Sequence, residues 1–317
     1  MMDVVSLGEL LIDFTNVSMD SDGYPTMAAH PGGAVTNFLA AVSKFGGKCA
    51  LMGKVGGDAF GKLLLNTLNK AGIETKGMLV DENVFTTLAF VTLDETGDRE
   101  FSFARKPGAD TCIDFEELDL SLVDEAKVFH IGTLSLTDEP AKTATRKAIA
   151  YAKERGKMIT FDPNLRKPLW KSLEDAKAQM IWGLQQADVV KISDEEVEFL
   201  FGLGVREGAE YILANFGVKL VFVTCGADGC WFQNGKACGH VPSLSGIRVV
   251  DTTGAGDIFG GSAVWKLLQL GIAPEALEEP QLRDIVTFAC TAAGLSTMKF
   301  GGLSSVPELA NVYEAMK

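Results

Sequence analysis

Short apolar runs alternate with amphipathic stretches along most of the chain. Val4 to Ile12 is apolar almost throughout and reads as a buried strand, and Ala34 to Phe45 follows as a helix stopped at Gly46-Gly47. Cys49 to Val55 reads as the next strand, and Ala59 to Lys70 as a helix ending at Ala71-Gly72. Further apolar strands are predicted at Val128 to Ile131, Lys157 to Phe161, Val189 to Ile192 and Leu220 to Thr224. Helical stretches around Ala141 to Glu154, Leu173 to Gln186 and Glu195 to Phe201 lie between them. Strands apolar on both faces, separated by amphipathic helices, predict an α/β fold with a mainly parallel sheet covered on both sides.

One region departs from this rhythm. Thr86 to Leu93 and Arg99 to Arg105 alternate with period two about the turn Asp94-Glu95-Thr96-Gly97-Asp98, which predicts a β-hairpin. Together with the excursion from Phe14 to Ala29, the segment 86–105 would build a small sheet standing off the main body as a lid. An ordinary antiparallel edge on the main sheet is the other reading. No internal repeat or low-complexity linker divides the chain, so residues 1–317 read as one domain.

Composition narrows the class. A hydrophobic content of 47% with 22% charged residues is that of a globular protein and not of a disordered one. The formal net charge of −13 argues against a nucleic-acid surface, which needs basic patches. A small polyanionic substrate stays compatible with it, because a few local cations outweigh a distant, screened charge. The six cysteines form no CxxC pair and there are three histidines, so no zinc-type cluster is expected and the thiols read as reduced. No stretch is long and apolar enough to span a bilayer, and the acidic N-terminus lacks a secretory n-region; a cytoplasmic location is the expectation.

The densest chemistry lies at Asp251-Thr252-Thr253-Gly254-Ala255-Gly256-Asp257, between the β-prone Ile247 to Val250 and an apolar run from Ile258. This reads as a strand, a tight turn and a helix start. Gly254, Ala255 and Gly256 have little or no side chain, so their N–H groups can approach an anion at the unpaired first turn. Asp257 would repel that anion unless it does work there, and general-base catalysis on an attacking hydroxyl is such work. The plainer alternative is an aspartate that complements the helix dipole behind glycines that turn the chain.

Other polar residues sit at predicted strand ends and helix starts, where open α/β sheets bind ligands. Asp13 ends the first strand, and Gly32 and Gly33 turn into a helix beside Asn37. Asn164 and Arg166 follow the strand ending at Phe161. This mixture of donors and acceptors suits a neutral polyol, although each residue singly also fits a turn or a cap. Lys191, Thr224, Gly226 and Gly229, on the next strand ends, are placed to face a nucleotide. Ser193-Asp194-Glu195-Glu196 has capping-box spacing, or it offers Glu196 to Mg²⁺ through water. Arg105, where the hairpin ends, is either a cation that meets the substrate or a solvated strand end. Gly56 to Lys62 imitates a P-loop, but Leu63 stands where Ser or Thr is required; the dinucleotide fingerprint likewise fails at Phe259.

Taken together, these segments resemble the ribokinase-like (PfkB) carbohydrate kinase family over nearly the whole chain. Asp251 to Ala263 resembles its C-terminal signature, and the Gly32-Gly33 turn with Asn37 and Gly53 to Gly61 resemble its N-terminal one. The resemblance implies a three-layer α/β/α fold with a mainly parallel central sheet and a small β-sheet lid that also serves a homodimer. It implies Asp257 as base, Gly254, Ala255 and Gly256 as anion hole, and sugar contacts from Asp13, Gly32, Gly33 and Asn37. Asn164 and Arg166 would lie towards the phosphates and the sugar's reacting end, and ATP with Mg²⁺ would be the phosphoryl donor. The family's Asn-x-x-Glu magnesium motif reads Ser193 to Glu196 here, which leaves Glu196 as its carboxylate. A K⁺ site is implied at Asp251 and Thr253 with the C-terminal loop that includes Gly301 and Ser305. The run Arg105-Lys106-Pro107-Gly108-Ala109-Asp110 is similar to one in fructokinases whose arginine reaches the substrate from the lid. It implies D-fructose as acceptor and fructose 6-phosphate as product, with a ribokinase or 2-keto-3-deoxygluconate kinase as the alternatives within the family. A catalytically silent sugar or nucleotide sensor is the alternative outside enzymes, and the intact Asp257 turn speaks against it.

Overall fold

The computed structural model describes residues 1–93 and 99–317; the predicted hairpin turn Asp94 to Asp98 lies outside the described residues. Its strands are β1 (Met2–Leu7), β2 (Leu11–Met19), β3 (Pro25–Gly32), β4 (Cys49–Gly56), β5 (Met78–Asp81), β6 (Leu88–Leu93) and β7 (Arg99–Ala104). They continue as β8 (Ala126–Ile131), β9 (Met158–Phe161), β10 (Val189–Ser193), β11 (Leu220–Thr224), β12 (Cys230–Asn234) and β13 (Cys238–Val241). Nine of them form the main sheet in the order β13-β12-β11-β10-β9-β8-β1-β4-β5. Pairing is parallel from β5 through β11, and β12 and β13 close the edge antiparallel. A short turn reverses the chain between β11 and β12, with Gly229 at φ 96°, and a turn this short can only join antiparallel neighbours.

Side-chain alternation explains the layers. Val5, Leu7, Ala50, Met52, Phe129 and Ile131 pack into one core with the helices Ala141–Glu154 and Val205–Phe216. Val4, Cys49, Leu51 and Val128, the intervening residues of the same strands, pack into a second core with the helices Ala34–Lys44 and Ala255–Leu270. Period-two geometry thus feeds an apolar core on each face, which is why these strands read as unbroken hydrophobic runs. The helices begin where their caps are: Asp58 accepts from the N–H groups of Phe60 and Gly61 ahead of Ala59–Lys70, and Ser172 accepts from Asp175 ahead of Leu173–Gln186. The Asp58 cap occupies the end that a P-loop would leave open to phosphate.

The remaining four strands form a separate sheet in the order β3-β2-β6-β7. β2 pairs antiparallel with β3 and parallel with β6, which pairs antiparallel with β7. The hairpin therefore joins the smaller sheet, not the edge of the main one.

Two expectations need correction. Val4 to Ile12 is not one strand, because β1 ends at Leu7 and the chain crosses at Gly8-Glu9-Leu10 into β2 of the smaller sheet. A Cβ on Gly8 would lie 2.8 Å from Val35, so the crossing packs directly on the following helix, and Asp13 lies inside β2 and does not end the first strand. Ile247 to Val250 is not a strand either. Its backbone is held by one end, the N–H groups of Val250 and Asp251 donating to the Thr297 carbonyl, while Val249 and Val250 stay exposed.

Candidate active site

The turn Asp251 to Asp257 lies between two cavities. One, about 160 Å³, is walled by Asp13, Gly33, Asn37, Asn164, Arg166 and Asp257 under Leu11 and Phe103. The other, about 580 Å³, is lined by Lys191, Thr224, Gly226, Gly229, Ala255 and Gly256, with apolar walls from Ile247, Leu244 and Phe259. Thr252 borders both. The polyol-type residues and the nucleotide-facing residues are thus separated, and one helix start divides them.

That helix, Ala255–Leu270, is capped by Gly254 at φ 75°, a left-handed conformation that glycine adopts at least cost. A Cβ there would also lie 2.8 Å from the Gly302 backbone. Ala255 donates its N–H to the Thr252 carbonyl at 3.2 Å and so closes the turn, contrary to the expectation that it faces an anion. The N–H groups of Gly254, Gly256 and Asp257 have no acceptor among the described residues. With the positive end of a 16-residue helix behind them, they form an anion cradle. A Cβ on Gly256 would approach the Lys191 ammonium to 2.9 Å, which places a largely buried cation beside the cradle.

Asp257, 7% exposed, accepts from Asn37 Nδ2 at 2.9 Å and from Asn164 Nδ2 at 2.7 Å. Burial raises its carboxyl above the usual range, against the Asn37 hydrogen bond, the charges of Lys191 and Arg166, and the Asn164 hydrogen bond. Two amides orient the carboxylate, and a pKa moved upward makes it a stronger base towards a hydroxyl proton. Asn164 reaches it from a backbone at φ 45°, and Asn37 Oδ1 is buried with no hydrogen-bond partner among the described residues. An orphaned acceptor at this wall fits a hydroxyl donor. Asp13 faces the same cavity; burial raises it to about 6, while Arg166 pulls it down and Asp257 and Asp251 push it up. Gly32 stays bare because a Cβ would fall on the Asp13 carboxylate.

Around the nucleotide-side cavity, Lys191 Nζ pairs with Asp162 at 3.1 Å, the aspartate buried and the lysine largely so. Ser193 and Glu196 form a reciprocal capping box on the helix Asp194–Phe201. The second Glu196 oxygen accepts the Leu165 N–H at 2.7 Å, tying the Asn164–Arg166 segment to that helix. Asp251 accepts from Thr253 N–H at 3.0 Å and Thr253 Oγ1 at 2.7 Å through one oxygen, and from Gly301 N–H at 2.9 Å through the other. Ser305 donates to the Gly302 carbonyl in the same loop. Among the described residues, no three His, Cys, Asp or Glu side chains group as a metal cluster.

Arg105 is placed differently from expectation. Its guanidinium is buried and pairs with Asp110, Nε at 2.9 Å and Nη2 at 2.7 Å, and donates to Thr137 Oγ1 and the Leu134 carbonyl. Asp110, five residues on, captures it behind the sugar-side wall, and Phe103 lines the cavity instead. The lining also includes Glu9, which no motif singled out; a carboxylate inside the apolar Val4 to Ile12 run was its one signal.

Comparison with known proteins places this geometry among sugar kinases. The chain matches the family model for pfkB family carbohydrate kinases over residues 1–309. It is 40% identical to fructokinase-2 of Solanum lycopersicum over 319 residues, covering 99% of this chain and 96% of that protein. The ATP-bound fructokinase of Xylella fastidiosa superposes with a TM-score of 0.91 at 28% identity, covering 100% of this chain and 98% of the other. Fructokinase of Vibrio cholerae O395 with fructose, ADP and calcium gives 0.86 at 30%, covering 100% and 99%.

Proposed function

The chain belongs to the pfkB family of carbohydrate kinases, and from that premise we propose that it transfers a phosphoryl group from ATP to the terminal hydroxyl of D-fructose, giving fructose 6-phosphate. The single observation that carries this reading is Asp257, held by two amides at the junction of a small polar cavity and a larger nucleotide-sized one. Asp257 takes the hydroxyl proton as the oxygen attacks phosphorus. The N–H groups of Gly254 and Gly256 and the Lys191 ammonium sit where charge develops on the transferring group. Asn37, Asp13, Gly33 and Arg166 orient the sugar, and the walls around Thr224, Gly226 and Gly229 receive the nucleotide.

A Mg²⁺ ion supplies charge neutralisation of the triphosphate, and Glu196 would hold it through water. A K⁺ ion at the Asp251, Thr253, Gly301 and Ser305 corner would steady the turn, and exchanging K⁺ for Na⁺ in the assay tests it. The smaller sheet acts as a lid over the sugar, and its exposed outer residues pair two copies of the chain. Among the described residues, no helix is long and apolar enough to cross a membrane; a cytoplasmic location belongs to the same proposal.

The test is an ADP-coupled assay over fructose, ribose and 2-keto-3-deoxygluconate, with Asp257→Asn alongside the wild type. Fructose is expected to be preferred, and the variant to lose on the order of 10²–10⁴ in kcat. Turnover of ribose without fructose, or an Asp257→Asn enzyme of normal kcat, would contradict the proposal.

A further inference from the structure

Gly8-Glu9-Leu10 is the crossing between the two sheets, and Glu9 carries a charge to a place where nothing in the phosphoryl transfer just described calls for one. Its side chain is 2% exposed, yet it borders the same small cavity as Asp257, Asn37 and Arg166. One carboxylate oxygen accepts the Ala34 N–H at 2.6 Å, so the group is anchored on the first turn of the helix Ala34–Lys44. The Glu9 carbonyl accepts from Thr36 Oγ1, and a Cβ on Gly33 would lie 2.5 Å from that carbonyl. The backbone on both sides of Glu9 is therefore packed against the helix start, and the carboxyl is fixed in position.

Behind it lies the buried Arg105–Asp110 pair, which reaches the same wall through the Leu134 carbonyl. Burying a carboxylate is costly unless it is paired or used. Here burial raises Glu9 to about 7, opposed by hydrogen bonds from its own N–H and from Ala34; Asp110 pushes it further up and Arg105 pulls it down. Asp13, Asp257 and Arg166 are the other charged groups that share its cavity. A simple structural anchor for Ala34 would need no ionisable group; Gln would accept the same N–H.

We propose that Glu9 is a substrate-binding residue, whose carboxylate accepts a hydrogen bond from a fructose hydroxyl other than the one Asp257 deprotonates, and that Arg105 and Asp110 position it from behind. The inference rests on the fructokinase reading. A buried acceptor built to meet a hydroxyl leaves a heavy penalty when that hydroxyl is absent, so this contact would also sort sugars.

Glu9→Gln keeps the acceptor for Ala34 and replaces the charged acceptor by a donor. The KM for fructose is expected to rise at least about tenfold, as for loss of a hydrogen bond to a charged group, with the KM for ATP within about twofold. The wild-type kcat/KM for fructose should fall as pH drops through about 7, where Glu9 takes up its proton, and Glu9→Gln should lose that step. A second measurement compares the two enzymes: fructose binding near pH 6.5, followed by calorimetry in buffers of different ionisation enthalpy, should release more protons from the wild type than from Glu9→Gln, since Asp13 and Asp257 are present in both. A folded Glu9→Gln enzyme with wild-type fructose KM and the same acid limb overturns the inference, and so does equal proton release from the two enzymes. A wild type that does not phosphorylate fructose contradicts the underlying reading instead.

Discussion

Asn164 is the one non-glycine residue with positive φ among the described residues, at 45°, and its side chain donates to Asp257. Such a backbone costs on the order of 1–3 kcal/mol, so the surrounding chain over-determines it: Thr133 donates to the Pro163 carbonyl and Leu165 donates to Glu196. Asn164→Gly would relieve that strain, and about 0.5–1 kcal/mol of added chain entropy offsets part of the relief, so the backbone change does not by itself lower stability. The expected outcome is a thermal midpoint close to wild type with kcat lowered about 10- to 100-fold, as for loss of one hydrogen bond to a charged group. Unchanged kcat would remove Asn164 from the machinery. Arg105 calls for the opposite signature. Removing one partner of a buried ion pair costs about 3–5 kcal/mol, so Arg105→Ala should be strongly destabilised in urea. Wild-type stability with only a raised fructose KM would return Arg105 to direct sugar contact. The sequence showed both residues and their neighbourhoods. It could not show which cation is captured by its own chain, because the Arg105–Asp110 pair forms only when β7 and the segment after it fold back behind the cavity.

At the scale of elements, Glu196 sits between two explanations that one variant separates. As the N3 residue of a capping box it needs one acceptor, which Gln also offers, and its second oxygen holds the Leu165 N–H. As a water-mediated Mg²⁺ partner it needs charge. Glu196→Gln keeps one of the two acceptors and turns an amide donor towards the other N–H, so it should lose about 1–3 kcal/mol of stability, while the Mg²⁺ concentration giving half-maximal rate rises several-fold. An unaltered Mg²⁺ requirement would leave the cap as the whole explanation. Elements marked by local chemistry were legible in the sequence. The helices Ala59–Lys70, Ala141–Glu154 and Leu173–Gln186 run over the predicted residues, because amphipathic periodicity ends at clear stops. Val4 to Ile12 was not divided correctly, since an unbroken apolar run carries no mark where a chain leaves one sheet for another. Ile247 to Val250 failed for the converse reason. β-branched residues favour strands only where a neighbouring strand exists to pair, and among the described residues this segment's backbone partner is Thr297, the C-cap of the helix Glu279–Ser296.

The whole molecule carries a net charge of −13 and exposes apolar side chains on the smaller sheet: Val17 and Met19 at 60% and Tyr24 at 67%. Facing Val17 and Met19 across a third cavity of about 640 Å³ is Phe300, 69% exposed, on the loop that also holds Gly301 against Asp251. Scattered exposed apolar residues need no explanation, but these adjoin one hollow beside the sugar cavity, and both cavities share Asp13, Thr15, Val91 and Thr253. In the proposed dimer this face would be covered, and the two like-charged bodies would repel each other over distances that salt screens; the Debye length falls from about 30 Å at 0.01 M to about 8 Å at 0.15 M. Apolar contact is not weakened by that change, whereas an interface of ion pairs would be. Sedimentation equilibrium should accordingly show a dimer whose dissociation constant decreases as NaCl rises from about 0.01 to about 0.15 M. Lysine at Val17 and Met19 should shift it towards monomer at fixed salt, by burying an uncompensated charge in an apolar contact. A monomer at every concentration, or a dimer that loosens with salt and ignores those two substitutions, would place the exposed face outside any self-association and leave it to the closing motion of the lid alone.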